Sequence, residues 1–419
     1  MSQADRVPQA DRVPQADRVP LSVLDLSPRS EGASAADALR NTLDLARRTE
    51  ELGYHRYWLA EHHLVPGVVS SAPAVVIALV ADSTTRIRVG SGAVQMGHHT
   101  AVTVAEEFGT LAQVHPDRID LGLGRPAVDR LFATANGGGQ PPGSDQPAPA
   151  SGGPASGGAA SGGAASGGAA SGGAAPGRAA TVVDGLLLPA PPRMRVNAER
   201  LRRQFALVGY RPGAGDEYGQ QVRDIQAFLR GDYRTAEGEH LTVPAAEGAD
   251  LQIWVLGSSA GASARTAGEL GLPFVANYHV SPTSVLEAVQ AYRDAFIPSE
   301  AFARPYVMVS ADVVVGPDDD TAAELASPYG LWVLSIRSGQ GARPFPSPAQ
   351  AAAYRWTAEE RALVADRVET QFVGGPATVA RKLETLRNVT GANELIITTI
   401  AYDHADRVRS YELLAQEWH

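Results

Sequence analysis

Arg56-Tyr57-Trp58-Leu59-Ala60-Glu61-His62-His63 is the stretch from which the rest of the chain is read. Tyr57 to Glu61 is aromatic, apolar or strand-tolerant, which suits a short buried strand. It follows Glu51-Leu52-Gly53, a helix end with a Gly stop. The chain therefore runs helix, Gly turn, strand, and delivers Glu61-His62-His63 to the strand's C-terminal end. In parallel α/β proteins ligands bind at that end, because loops and helix N-termini converge there. A carboxylate and two imidazoles suit proton transfer. The plainer reading, that one His caps the strand and the other is solvated, stays open on residue types alone.

Outward from this point the pattern repeats. Leu21–Leu26 reads as a strand and Ala35–Leu52 as an amphipathic helix. Ala72–Asp82 and Val102–Val114 read as helices, with strands at Ile87–Val94 and Ile119–Leu123. Further on, strands are expected at Leu251–Leu256, Pro273–Ala276, Val307–Val315 and Glu394–Thr398. Helices are expected at Tyr218–Leu229, Ser263–Leu270, Pro282–Phe296, Pro376–Asn388 and Ala405–Gln416. Strand–helix alternation of this kind predicts stacked βα units and a parallel sheet. Two segments break it. Gln3–Pro20 is three copies of Gln-Ala-Asp-Arg-Val-Pro. A Pro in every copy bars a helix or a central strand, so residues 1–20 are expected to be a disordered tail. Residues from about 137 to 178 are Gly, Ala, Ser and Pro, including five Ser-Gly-Gly-Ala/Pro-Ala units, and are expected to be a flexible insertion after strand 4. Closure entropy grows only logarithmically with loop length, so one interrupted (β/α)8 barrel spanning 21–419 is preferred to two domains.

The net charge of −10 argues against a nucleic-acid surface. With no cysteine, thiolate catalysis, disulfides and Cys-ligated zinc are excluded. No apolar window of about 18 residues is present, and the N-terminus lacks an apolar signal core, so a cytoplasmic protein with no membrane span is expected.

Three further motifs carry possible chemistry. Gly90-Ser91-Gly92-Ala93-Val94 places small residues in a strand, which marks either a close ligand approach or plain barrel packing. His98 and His99 lie just beyond and are expected to join His62 and His63 at one rim. Gly122-Leu123-Gly124-Arg125-Pro126-Ala127 formally satisfies a dinucleotide pattern, but the acidic residue about 20 positions on would fall in the insertion, so Arg125 reads better as an anion clamp. Leu256-Gly257-Ser258-Ser259-Ala260-Gly261 runs from a strand into hydroxyl residues and a helix, which suits a phosphate. A metal site is not expected. Glu61, His62 and His63 are consecutive, successive strand side chains point to opposite faces, and there is no His-x-His or His-Glu-x-x-His.

Taken together, Glu61-His62-His63 after Tyr57-Trp58, Arg86–Ala93, Ala105-Glu106-Glu107, Arg118–Arg125 and Gly257-Ser258-Ser259 before Gly271-Leu272-Pro273 resemble the bacterial luciferase-like flavin monooxygenases. Leu24–Pro28 and His404–Arg407 resemble the subgroup that includes the luciferase-like oxygenase of mensacarcin biosynthesis, an aromatic polyketide pathway. The resemblance implies a TIM barrel, a homodimer, and reduced FMN supplied by a separate NAD(P)H:flavin reductase. It implies reaction with O2 through a C4a-hydroperoxide to oxygenate a small organic substrate. By the same resemblance His62 is the catalytic histidine and Arg125 contacts the FMN phosphate. Gly257, Ser258, Ser259 and Ser263 belong to the phosphate loop, and Gly92–Ala93 stands where the family often has a cis peptide. Glu61, His63, His98 and His99 are candidate substrate-pocket residues. Gly124 replaces the reactive cysteine of the luciferases, so light emission is not expected, and the loop Ser258–Ala264 is one residue longer than usual. An F420-dependent dehydrogenase, which shares the barrel, and a non-catalytic flavin-binding protein are the alternatives.

Overall fold

The computed structural model describes residues 18–125, 179–191, 197–210 and 215–419. The insertion expected at about 137–178 and the first 17 residues of the tail lie outside the described residues. Arg18–Pro20, the end of the expected tail, are ordered chain. Arg18 pairs with Glu384 at 2.9 Å and lies over the Trp418 ring, whose indole donates to the Val19 carbonyl. The third Gln-Ala-Asp-Arg-Val-Pro copy thus gains tertiary partners that a repeat read locally does not reveal.

Eight parallel strands close a barrel. They are β1 (Leu21–Asp25), β2 (Arg56–Leu59), β3 (Arg88–Ser91), β5 (Ile119–Gly124), β8 (Leu251–Gly257), β9 (Phe274–Asn277), β10 (Val307–Val315) and β12 (Glu394–Thr398). Pairing runs in chain order and is completed by β9 with β10 and by β12 with β1. Three minor pieces complete the strands of the described residues. β4 (Val94–Gln95) continues beside β5, β6 (Thr181–Val183) and β7 (Leu186–Leu188) form a hairpin, and β11 (Phe372–Gly374) joins β10.

The outer layer follows from amphipathic helices with defined ends. α1 (Ala35–Glu51) starts with a capping box between Ser34 and Asp37, and Gly53, at φ +83°, takes the left-handed conformation that turns the chain into β2. α2 (Pro73–Ser83), α3 (Ala101–Val114), α4 (Ala198–Leu207), α5 (Tyr218–Arg230), α6 (Ala262–Glu269) and α7 (Val285–Ala295) follow. Between β10 and β11 lies a segment that strand–helix alternation does not anticipate: α8 (Asp319–Ala326), α9 (Tyr329–Arg337), α10 (Pro348–Ala353) and α11 (Ala358–Thr370). α12 (Pro376–Thr390) and α13 (His404–Trp418) complete the wall.

Strand periodicity of two separates two cores. Val23, Tyr57, Leu121, Val255 and Ile397 pack outward against the helices, whereas Leu24, Trp58, Trp254, Met308 and Ile396 fill the barrel axis. Trp58 and Trp254 meet edge to face at 5.3 Å. Gly92 makes room for such bulk: a Cβ there would lie 2.7 Å from Leu24 and 3.3 Å from the Trp58 ring. Gly90 and Gly122 are small for a different reason, since a Cβ would meet the Asp120 backbone at 2.4 Å and the Ser91 carbonyl oxygen at 2.0 Å, so close packing of neighbouring strands accounts for both.

Below the tryptophans sits a buried ionic layer. Arg56 donates to Asp120 at 2.7 Å, to Glu394 at 3.1 Å and to Gln252 at 3.0 Å, and its guanidinium lies over Trp254. Arg88 and the Trp58 indole also donate to Asp120. Breaking a buried pair on one side leaves an uncompensated charge, which costs about 3–5 kcal/mol. Arg56→Met, with Asp120 and Glu394 left in place, is therefore expected to lower the unfolding free energy by that amount in urea titration at pH 7. A loss below about 1 kcal/mol, the range of an exposed pair, would show that the layer does not hold the barrel together.

Candidate functional site

The C-terminal mouth of the barrel holds a cavity of about 510 Å³. The inward parity of each strand continues past its end and selects what lines it. After Arg56, Trp58 and Ala60 on β2 comes His62; on β9 the inward series passes from Val275 through Asn277 to His279. His62 donates its backbone N–H to the Ser70 carbonyl at 2.8 Å, while its ring Nδ1 has no hydrogen-bond partner among the described residues. Burial pushes its pKa down to about 4, so the ring is neutral at pH 7 and offers a lone pair or a single N–H to whatever fills the cavity.

His279 is a lining residue that motif reading did not select for this site. Its Nδ1 lies 2.6 Å from the Ser310 hydroxyl, and burial, reinforced by Arg367 and His62, holds its pKa near 3. Counting in twos from Val275 along β9 is the signal that would have found it.

Glu61 and His63, one residue either side of His62, face the other way. Glu61 Oε1 lies 2.7 Å from His63 Nε2, 2.9 Å from His98 Nε2 and 2.8 Å from His99 Nε2, while Oε2 accepts the Gln95 N–H at 2.7 Å. Burial works to raise the Glu61 pKa, but the hydrogen bonds from His98 and His99 outweigh it and hold the carboxyl well below its usual range. The expectation that four histidines share one rim is thus corrected. His63, His98 and His99 gather on Glu61, of this group only Glu61 reaches the cavity lining, and His62 stands apart inside the barrel. The same geometry refines the argument about metals. Consecutive side chains do alternate, but Glu61 and His63 share a face, and the ligand atoms of Glu61, His98 and His99 lie within 4.8 Å of one another.

The remaining sequence candidates converge on the cavity. Gly92, Ala93, Arg125, Gly257, Ser258, Ser259 and Ser263 all line it. The Gly92–Ala93 peptide is cis. Arg125 follows the last residue of β5. β8 runs through Gly257 and Ser258 into α6, whose N-cap, Gly261, gives no side-chain capping bond. The N-terminus of α6, Ser258, Ser259, Ser263 and Arg125 thus line one mouth and carry the kinds of donor that an anion needs.

The two half-buried imidazoles, desolvated by the cavity walls, set a pH dependence. In the unfolded chain they take up protons below their ordinary pKa of 6.5, whereas in the folded chain they stay neutral down to about 4 and 3. Their contribution is complete above pH 6.5 and is lost as pH falls toward those values. At pH 5 the loss is about 2 kcal/mol for each ring. Urea denaturation at pH 7 and pH 5 is expected to show a shallower pH dependence for His62→Gln and for His279→Gln than for the parent chain. Identical slopes would mean that these rings are not held neutral.

Comparison with known proteins agrees with the geometry. The Luciferase-like monooxygenase family model matches residues 20–139 and 216–393. The chain is 35% identical over 400 residues to YvbT of Bacillus subtilis (strain 168), covering 95% of this chain and 96% of that one. It is 31% identical over 392 residues to the luciferase-like monooxygenase of Escherichia coli (strain K12), covering 94% and 95%. The crystal structure of apo-MsnO8 superposes with a TM-score of 0.70 at 27% identity, over 96% of this chain and 98% of that one. With an (β/α)8 barrel and matches along nearly its whole length, the chain belongs to the luciferase-like monooxygenase family.

Proposed function

We propose that this family member is an FMN-dependent, two-component monooxygenase that uses reduced FMN from a separate NAD(P)H:flavin reductase, together with O2, to oxygenate a small organic substrate. The observation that carries the reading is one cavity lined both by donors suited to an anion and by a histidine kept neutral by desolvation. The fit to FMN is chemical. Arg125, the Ser258-Ser259 hydroxyls and the uncapped N-terminus of α6 supply the donors that a phosphate needs, and Gly92, Ala93 and Gly124 leave a wall without bulk for a flat ring system.

Bound reduced flavin would supply the activation of oxygen. The chain's own part is to bind, orient and exclude water. Leu24, Leu26, Val68, Leu256 and Ile400 give the cavity apolar walls, which limits water at the reacting atoms. His62, neutral at pH 7, would hold or return a proton through a ring nitrogen. A homodimer belongs to the same proposal: Val75 and Leu79, one turn apart on α2, are 62% and 50% exposed and give a second copy an apolar surface to cover. So does a substrate of aromatic polyketide type, which rests on the likeness to the mensacarcin oxygenase.

The runner-up is an F420-dependent dehydrogenase. One solved structure with this fold holds FMN, in a Baeyer–Villiger monooxygenase, and another an F420–acetone adduct, in an alcohol dehydrogenase. Anaerobic titration with reduced FMN and with F420, followed by mixing with oxygen, separates the two. Tight binding of reduced FMN and oxygen-dependent product formation support the oxygenase. Selective binding of F420 moves the chain to the dehydrogenases.

Two substitutions sharpen this. Arg125→Ala is expected to weaken reduced FMN about 10- to 100-fold while leaving reduced riboflavin, which lacks the phosphate, unchanged. His62→Ala is expected to lower the oxygenation rate by about 10²–10⁴ with FMN affinity retained. Undiminished turnover in His62→Ala would remove His62 from the chemistry.

A further inference from the structure

One wall of the cavity comes from the segment between β10 and β11. It contributes Trp332 and Ile336 from α9, Ala342 from the following loop and Arg367 from α11. Arg367 is 7% exposed, a cation nearly withdrawn from water. The hydrogen bonds its side chain makes among the described residues all leave from Nη2, to Asp312 Oδ2 at 3.1 Å and to the Tyr329 hydroxyl at 2.6 Å. Its Nε has no partner among the described residues, and neither has the indole Nε1 of Trp332. Both groups are donors only. Tyr329 links them: its ring lies 5.9 Å from that of Trp332 and 5.7 Å from the Arg367 guanidinium. A buried guanidinium that uses one of its three nitrogens is incompletely satisfied, and such groups are rare without a ligand or water. The rest of this wall is apolar, with Leu26, Val68, Trp332 and Ile336 in one cluster.

We propose that Arg367, with Trp332 beside it, is a subsite for a carboxylate, so that the substrate of this cavity is an organic acid whose apolar remainder packs on Leu26, Val68 and Ile336. A guanidinium can donate to both oxygens of a carboxylate at once, which a lone hydroxyl cannot match. Arg367 acts on the charge of His279, so an anion held there lies in the same part of the mouth as the two half-buried imidazoles. The anion donors at Ser258–Ser263 belong to different elements, β8 and α6, so one cavity offers two separate anion positions. The inference rests on the oxygenase reading only for the word substrate; as a binding site it stands by itself.

The test uses the full chain without flavin, in the presence of inorganic phosphate to occupy the Ser258–Ser263 donors. Arylalkanoates such as 3-phenylpropanoate are titrated against their neutral amides, with the fluorescence of the tryptophans as the signal. The acid is expected to bind at least about tenfold more tightly than the amide. Arg367→Met alone would strand the Asp312 carboxylate, so the informative variant is Asp312→Asn with Arg367→Met, which removes cation and counter-charge together; circular dichroism confirms that it is folded. In that variant the acid and amide are expected to bind alike, whereas Arg125→Ala keeps the preference for the acid. Equal binding of acid and amide to the parent chain, no binding of the acid, survival of the preference in the double variant, or its loss in Arg125→Ala would each overturn the proposal. Because neither flavin nor oxygen is present, such a failure leaves the oxygenase reading standing, and failure of that reading leaves this test intact.

Discussion

The barrel depends on the single guanidinium of Arg56. It pairs with both Asp120 and Glu394, reaches Gln252 and covers the face of Trp254, so one side chain from β2 binds β5, β8 and β12 across the axis. Charges this deep are tolerable only in a mutually satisfied set, because each ion alone would lose several kcal/mol of hydration. Here Arg88, the Trp58 indole and the Tyr306 hydroxyl complete the hydrogen bonding of the two carboxylates. The ionic layer closes the N-terminal end of the barrel, and the Trp58–Trp254 pair rests on it. Everything above that pair is free to be a cavity.

This layering explains why the chemistry sits where it does. Going up β2 and β12, inward residues pass from charged, to bulky apolar, to small or polar, while the facing β5 offers glycine where β2 and β12 carry bulk. On β2 the series is Arg56, Trp58, Ala60, His62. On β5 it is Asp120, Gly122, Gly124, and on β8 Gln252, Trp254, Leu256, Ser258. The same alternation that turns the His62 ring into the mouth turns His63 away from it, toward Glu61 at the cavity's edge. Glu61 then anchors the loop carrying His98 and His99 and, through Gln95, the short strand that continues beyond the Gly92–Ala93 peptide. His62, which lines the cavity, and His63, which braces its wall, are adjacent in sequence and differ in parity.

Much of the architecture was legible. The strand at Tyr57, the helix ended by Gly53, the α12 start at Pro376 and all eight barrel strands were readable, because each depends on residues two or about four positions apart. The cavity residues at strand ends, His62, Arg125 and Ser258-Ser259, were readable for the same reason. Residues 316–375 were not. Their helices are short, and α9 is apolar on most faces because it is covered on both sides. The capping boxes Ser347–Gln350 and Thr357–Glu360 were the overlooked signals for α10 and α11. The expected rim of histidines formed from His63, His98 and His99 but without His62, because His62 and His63 are consecutive and point to opposite faces.

The sequence by itself determined the alternation of strands and helices, the family and the strand ends where ligands gather. These follow from local periodicity and from turn residues, whose effects act within a few positions. Only the tertiary structure decided which face of each strand end looks inward, which histidine is kept neutral by desolvation and which are held by Glu61. It alone brought Arg367 and Trp332, from helices more than 250 residues beyond His62, to the same mouth. Those outcomes depend on barrel closure and on burial. Both are set by contacts between distant segments, and neither is written in the spacing of neighbouring residues.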